Sequence, residues 1–273
     1  MWGCTLMDTP KICKINESIK ETEDVKTFIF NYEPLTLPGQ FFMIWISGVD
    51  EIPMSVSYIT ESSKGITFRK IGDATDALFN LKKNDTIGIR GPYGHGFDLS
   101  GDHLLFVGGG TGIAMIAPAV ELIAKKKKKI TCVLGAKSKQ ELFFYDRIKK
   151  TGANVIVSTD DGSMGEQGFA SDIAKEVIET ENIDSIYTCG PELMMKALYE
   201  NTGTIPFQAS LERYMKCGVG ICGQCCVGEG LRVCLEGPVL NRLQLSKITD
   251  FGSWKRDASG KKIYFKKIVQ DPL

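Results

Sequence analysis

From residue 102 to about residue 200 the chain repeats one pattern: a short apolar run, then a segment with helical spacing. HLLFVGGGTG (103–112) leads into IAMIAPAVELIAK, ITCVLGA into SKQELFFYDRIKK, NVIVSTDDG into SDIAKEVIET, and SIYTCG into PELMMKALYE. Strands alternating with helices imply right-handed crossovers and a parallel sheet. Ser138 and Glu141 have the spacing of a capping box, and Pro191 suits a first helical turn. The lysines at 125–129 read as a solvated helix end, with a partner-binding patch as the alternative.

Ahead of this region the texture differs. KTFIFNY, QFFMIWIS, MSVSYIT, GITFRKI and DTIGIRG are short, rich in aromatic and β-branched residues, and divided by Pro-Gly, Gly or Lys-Asn-Asp. With one helix, around Asp76–Leu81, such a run predicts a small β-barrel. Beyond residue 241 the chain is polar and weakly patterned, and no role can be read from it.

Cysteine usage is uneven. Five of nine cysteines fall within CGVGICGQCCVGEGLRVC (217–234). Cys217, Cys222 and Cys225 are spaced C-x4-C-x2-C, and Cys234 follows, which is the plant-type pattern for a [2Fe–2S] cluster. Gly218, Gly220 and Gly223 would let the backbone wrap closely around such a centre and aim N–H groups at its sulfurs. A zinc site is the competing reading, although structural zinc usually shows paired C-x2-C knuckles and only one such pair is present. Unligated core thiols are the third. Cys226 is the surplus thiol of the loop, and Cys4, Cys13 and Cys132 read as ordinary residues.

Bulk properties narrow the setting. The formal net charge is zero, so nothing points to nucleic acid. Apolar runs are broken well short of a membrane span, and no basic flank precedes an apolar stretch at the N-terminus. A cytoplasmic location is therefore expected, where cysteines serve as ligands, catalysts or inert core residues rather than disulfides.

Gly108, Gly109, Gly110, Thr111 and Gly112 lie where a strand feeds a helix, a position suited to a pyrophosphate. Ile113 stands where the full dinucleotide fingerprint has its third glycine, so this motif alone is weak. Cys189-Gly190-Pro191 and Asp160 end two further strands of the same sheet, and ligands of open α/β sheets bind beyond such ends. Lys137 and Ser138 could meet a 2′-phosphate or simply begin a helix, which leaves NAD against NADP open. His95 reads as a loop residue.

Taken in order, PMSV (53–56), GDAT (72–75), GPYGHGF (91–97), GGGTGIA (108–114), CGP (189–191) and the cysteine loop resemble the ferredoxin-reductase superfamily. Within it they are similar to the electron-transfer subunits of NAD-linked, two-subunit dihydroorotate dehydrogenase, over nearly the whole chain. The resemblance implies an α+β multidomain chain: a flavin-binding β-barrel over 1–101, an α/β nucleotide-binding domain over 102–206, and a [2Fe–2S] module with a tail over 207–273. It implies three cofactors: FAD, a [2Fe–2S] cluster and NAD as electron acceptor. Pro53, Met54 and Ser55 would approach the flavin, with the Ser55 hydroxyl placed to hydrogen-bond the isoalloxazine. Lys70, Ile71, Gly72, Ala74 and Thr75 would hold ribityl and pyrophosphate groups. Ile52 stands where the family usually has arginine, and Arg69 or Lys70 would have to substitute. The resemblance gives the metal ligands as Cys217, Cys222, Cys225 and Cys234. A related family serving electron bifurcation typically has aspartate at the first ligand position, where this chain has Cys217.

The implied partner is an FMN-containing dihydroorotate dehydrogenase catalytic subunit, two copies of each, with the cluster loop at the interface and a place in pyrimidine biosynthesis. Electrons would pass through the cluster and FAD to NAD(+), with no catalytic acid or base on this chain. Reductase subunits of a hydrogenase, a sulfide dehydrogenase or a bifurcating ferredoxin–NADP complex remain alternatives, as does a non-enzymatic zinc-stapled binding module.

Overall fold

The computed structural model describes residues 9–265. Cys4 and the outer ends of the first and last expected domains lie outside that range.

The first element is a closed antiparallel barrel of six strands: β1 (Lys11–Lys20), β2 (Val25–Asn31), β3 (Phe41–Ile46), β4 (Asp50–Ile59), β5 (Ser63–Arg69) and β6 (Thr86–Tyr93). Its strand order is β1-β2-β5-β4-β3-β6, closed by pairing of β1 with β6. Five of these strands match the apolar runs in the sequence. The sixth, β1, is masked there by lysines and polar residues, because only Cys13 and Ile15 of KICKINESIK are buried. Phe28, Phe30, Phe42, Ile44, Ile66 and Ile89 fill the interior, and the rings of Phe30 and Phe42 meet edge-on at 6.0 Å. Among the described residues, Lys64 is the one fully buried cation of that core. Its ammonium donates to the carbonyls of Tyr32 (2.9 Å), Thr60 (2.8 Å) and Glu61 (3.2 Å), which uses all three of its protons. Between β5 and β6 runs α1 (Asp73–Asn80), which starts earlier than the sequence suggests because Thr75 closes the turn: its Oγ1 accepts from the N–H groups of Ile71 and Gly72.

The second element is a sheet of β7 (His103–Gly109), β8 (Lys129–Ala136), β9 (Asn154–Thr159), β10 (Glu166–Gln167), β11 (Ser185–Cys189) and β12 (Phe207–Ser210), all parallel. Helices α2 (Gly112–Ala124), α3 (Tyr145–Lys149), α4 (Ala170–Thr180) and α5 (Glu192–Asn201) connect them. Alternation along β7 divides the two layers. Leu104 and Phe106 face α2, whereas Leu105 and Val107 face the α4 and α5 side. The order β10-β9-β8-β7-β11-β12 reverses direction at β7, so a crevice opens beyond the carboxyl ends of β7 and β11.

The helix expected after β8 forms only in part. Lys139–Glu141 make a single 3-10 turn, Phe144 adopts φ 62°, and α3 begins at Tyr145. Ser138 and Glu141 make no capping box. The Glu141 carboxylate instead accepts from Arg69 Nη1 of the barrel at 2.9 Å, and the Lys139 N–H is taken by Ser163 Oγ at 2.8 Å. A tertiary ion pair has replaced the local cap. The lysine run behaves as expected up to Lys128, and Lys129 opens β8.

The remainder winds around the cysteine loop. It comprises β13 (Cys226–Val227), β14 (Leu231–Arg232), α6 (Val233–Glu236), β15 (Val239–Asn241), α7 (Arg242–Leu245), β16 (Trp254–Arg256) and β17 (Lys262–Tyr264). β15 pairs antiparallel with β12 and so joins the large sheet. The tail has a definite structure. Asn241 Oδ1 caps α7 at the Gln244 N–H (3.0 Å), and Leu245, Ile248 and Phe251 bury themselves in the core at three-residue spacing. β16 and β17 form a hairpin.

Candidate electron-transfer site

Two cavities lie along the seam between barrel and sheet. A groove of about 220 Å³ is lined by Pro53, Met54 and Ser55 of β4, by Thr67–Arg69 at the end of β5, by Ile71 and Thr75, and by Cys189 and Met115 opposite. Of the expected flavin residues, Lys70, Gly72 and Ala74 sit on the same turn without lining the groove. Lys70 is paired with Asp76 at 2.9 Å, and Arg69 with Glu141 (2.9 Å) and Asp24 (3.3 Å), so both cations offered in place of the missing arginine already have acidic partners.

The second cavity is a cleft of about 740 Å³ beyond the strand ends. Gly109, Gly110, Thr111, Asp160, Gly190 and Pro191 line it, as does Lys137. Burial is the main influence pushing the Asp160 carboxyl up, against the neighbouring Lys137 ammonium. Cys189 faces the first groove instead, and Gly108 and Gly112 act in packing. Gly110 adopts φ +53° beside open space, leaving bare backbone for a ligand. Gly112 is different: a Cβ there would stand 2.1 Å from the Cys189 carbonyl oxygen and 2.6 Å from the Gly190 nitrogen. Only backbone would have to yield. Gly112→Ala is therefore expected to cost about 3 kcal/mol of stability and to weaken dinucleotide binding by separating α2 from the Gly190 turn. Denaturant unfolding and an NADH titration check this; a variant with wild-type values in both would contradict it.

Arg69, Thr111 and Glu212 line both cavities and mark where they join. No motif announced Glu212. It is accessible through the cleft yet ringed by protein, and burial pushes its carboxyl up, opposed by Lys255. Its neighbour Arg213 is committed elsewhere. The guanidinium makes a fork with the Glu192 carboxylate (Nη2–Oε1 2.9 Å) and lies 3.9 Å from Asp250, all three side chains being buried. Glu192 Oε1 also accepts the Gly252 N–H at 2.9 Å, and Asp250 Oδ1 the Gly228 N–H at 2.6 Å. One buried charge network thus ties the start of α5 to the cysteine loop and to the C-terminal hairpin.

The four candidate ligands come together in two pairs. Cys217 and Cys222 interact on the outer side, and Cys225 and Cys234, both buried, on the inner. Burial pushes the Cys217 thiol up, but the N–H groups of Cys222, Val219 and Ile221 and the Cys222 thiol outweigh it and hold Cys217 at about 6. Cys225 is held at about 7 chiefly by a hydrogen bond from Cys234, whose own thiol is correspondingly pushed up. Backbone donors reach three of the sulfurs: Gly220 N to Cys234 Sγ (3.1 Å), Ile221 N to Cys217 Sγ (3.4 Å) and Cys234 N to Cys225 Sγ (3.4 Å). Gly218 and Gly220 reach this wrap at φ +74° and +77°.

Among the described residues no three His, Cys, Asp or Glu side chains converge in the way a single metal ion requires. A two-iron centre needs two sulfur pairs, one per iron, with N–H groups aimed at them. The thiols here fit that demand. The Cys226 thiol donates to the Gly230 carbonyl at 3.7 Å.

The loop also fits the barrel. Arg90 of β6, forked onto Glu51 (2.7 and 2.5 Å), donates to the Cys217 carbonyl at 3.3 Å. Gly218 of the loop lies against Met43 and Tyr93, and the Tyr93 ring stands 5.9 Å from that of Phe41, which lines the first groove.

Comparison with known proteins decides the family. Residues 212–246 match the iron-sulfur cluster binding domain of dihydroorotate dehydrogenase B, and residues 106–200 match the oxidoreductase NAD-binding domain. A Methanocaldococcus jannaschii protein assigned as the electron transfer subunit of dihydroorotate dehydrogenase B (NAD(+)) is 49% identical, over 95% of this chain and all of its own length. The chain belongs to the family of dihydroorotate dehydrogenase B electron transfer subunits. A Methanothermobacter thermautotrophicus member of that family is 42% identical over 94% of this chain and 98% of its own. Among solved structures, that of an NADH-dependent reduced ferredoxin–NADP oxidoreductase superposes with a TM-score of 0.77 at 27% identity, covering 91% of this chain and 95% of that one. The cytochrome b5 reductase domain of Ulva prolifera nitrate reductase shares the fold alone, with a TM-score of 0.60 at 18% identity, over 72% of this chain and 93% of its own. As a family member the chain is an oxidoreductase subunit with a catalytic-subunit partner. Among the described residues no helix is long and apolar enough to cross a membrane.

Proposed function

We propose that this chain carries electrons from an FMN-containing dihydroorotate dehydrogenase catalytic subunit to NAD(+) in the cytoplasm, in an assembly holding two copies of each subunit. The observation that carries the reading is a four-cysteine loop packed, through Tyr93 and Phe41, against a groove that opens into a nucleotide cleft.

Each part of the chain has a task in this scheme. Cys217 and Cys222 would hold the outer iron of a [2Fe–2S] cluster, and Cys225 and Cys234 the inner one. Pro53, Met54, Ser55, Ile71 and Thr75 would hold FAD in the groove, with Ser55 Oγ available as a donor or acceptor. Lys70, Gly72 and Ala74 would shape the turn that carries Ile71 and Thr75. The glycine turn at 108–112, with Asp160 and the Cys189–Pro191 turn, would seat NAD. Bound flavin supplies the chemistry that exchanges electrons in pairs on one side and singly on the other. The chain's own work is to position these groups and exclude water between them, and it needs no general base. Ile221, 84% exposed at the rim of the cysteine loop, would face the catalytic subunit.

Anaerobically purified chain should show flavin and cluster absorbance that both bleach with NADH, and should reduce artificial acceptors with NADH. It should oxidise dihydroorotate only after the catalytic subunit is added. Dihydroorotate turnover by the isolated chain, or a colourless preparation, would overturn the proposal.

A further inference from the structure

The tail beyond residue 241 carried no motif, yet its hairpin reaches the nucleotide cleft. Lys255 of β16 and Phe265, just after β17, line that cavity together with the glycine turn and the start of α5. The hairpin is held at several points. Glu192 takes the Gly252 N–H, Asp250 O takes the Ser253 N–H (2.9 Å), and Ser253 O takes the Phe265 N–H (3.0 Å). At the far end Asp257 Oδ1 accepts from the Ser259 N–H (2.9 Å) and the Lys261 N–H (3.0 Å), while Gln224 of the cysteine loop donates to Asp257 O at 3.2 Å. It is a fixed wall.

The charges of the cleft show what this wall contributes. Arg69 is occupied by Glu141 and Asp24, Glu192 is occupied by Arg213, and Lys137 faces Asp160. Lys255 faces Glu212, and its ammonium lies 6.0 Å from the centre of the Phe265 ring. A dinucleotide brings a diphosphate carrying negative charge into a cleft whose cations each have an acidic neighbour, and the glycine turn offers only backbone donors, so the lysine that the hairpin adds to the lining offsets part of that charge.

We infer that the C-terminal hairpin forms part of the dinucleotide site: Lys255 binds the diphosphate from the side opposite the glycine turn, and Phe265 packs against the nucleotide. This rests on the reading of the cleft as the NAD site. It makes Lys255 a binding residue, set in place by a hairpin that is itself anchored to the cysteine loop.

The test is titration of NADH, ADP-ribose, NADPH and adenosine into the full-length, FAD- and cluster-loaded protein by calorimetry. Lys255→Gln should weaken NADH and ADP-ribose alike by about tenfold to a hundredfold, the range of one hydrogen bond to a charged group, and leave adenosine unchanged. Lys255→Arg should recover most of the loss. Phe265→Ala should weaken NADH by about fivefold. Added salt should weaken wild-type binding more steeply than that of Lys255→Gln. Wild-type affinity for NADH in both Lys255→Gln and Phe265→Ala would overturn the inference, as would a loss confined to NADPH, which would place Lys255 at a 2′-phosphate. A wild-type protein that binds no NADH would overturn the NAD-site reading itself, an outcome distinct from either.

Discussion

Replacing Cys222 with alanine is expected to strip the iron from this protein while leaving FAD bound. The expected change is from about two irons and two acid-labile sulfides per chain to background, with the flavin spectrum retained. Cys222 is the exposed member of the outer sulfur pair. Cys226 is the nearest spare thiol in sequence, and its Sγ is engaged with the Gly230 carbonyl at 3.7 Å. The flavin groove is built by β4, β5 and their neighbours, so it should survive the loss. NADH should still bleach the flavin, and transfer to or from the catalytic subunit should fall to background. Cys226→Ala should keep its iron. Retention of the cluster in Cys222→Ala would show the ligand set to be wrong.

The second large effect is structural. Arg213→Met should destabilise the protein by about 3–5 kcal/mol, because it removes one partner of a buried ion pair and leaves the others uncompensated. Arg213, Glu192 and Asp250 are 7%, 9% and 2% exposed, so water cannot take over the solvation of the two carboxylates. The thermal midpoint should fall on the order of 10 °C, measured on FAD-stripped as well as FAD-loaded protein so that lost ligand binding is not mistaken for lost folding. The damage should extend to the cluster loop and the hairpin, since Asp250 holds the Gly228 N–H and Glu192 the Gly252 N–H. Arg213→Lys keeps a cation but loses the fork, and should fall between the two. A drop of less than about 1 kcal/mol, the range of an exposed pair, would mean that the network carries no such load.

Much of this was legible in the residue order. The parallel sheet followed from alternation, because strands buried on both faces must be continuously apolar and each needs a helical crossover. Five barrel strands showed as aromatic and β-branched runs. The sixth did not, since KICKINESIK buries only two apolar side chains and reads as polar until β2 and β6 pair with it. The Ser138–Glu141 cap was legible but did not form. Local capping competes with tertiary contacts of similar strength, and Glu141 is taken by Arg69 from a strand 72 residues away in sequence.

By itself the sequence determined the order of the units, the family resemblance and the spacing of four cysteines in a glycine-rich loop. Those properties live in contiguous segments, where spacing and backbone freedom are written directly in the residues. Only the tertiary structure decided that the sulfurs sit two and two, that Arg69, Thr111 and Glu212 meet where groove and cleft join, and that a patternless tail supplies Lys255 to the cleft. These depend on contacts between distant segments, and such contacts are fixed by packing and by the pairing of buried charges rather than by any local rule.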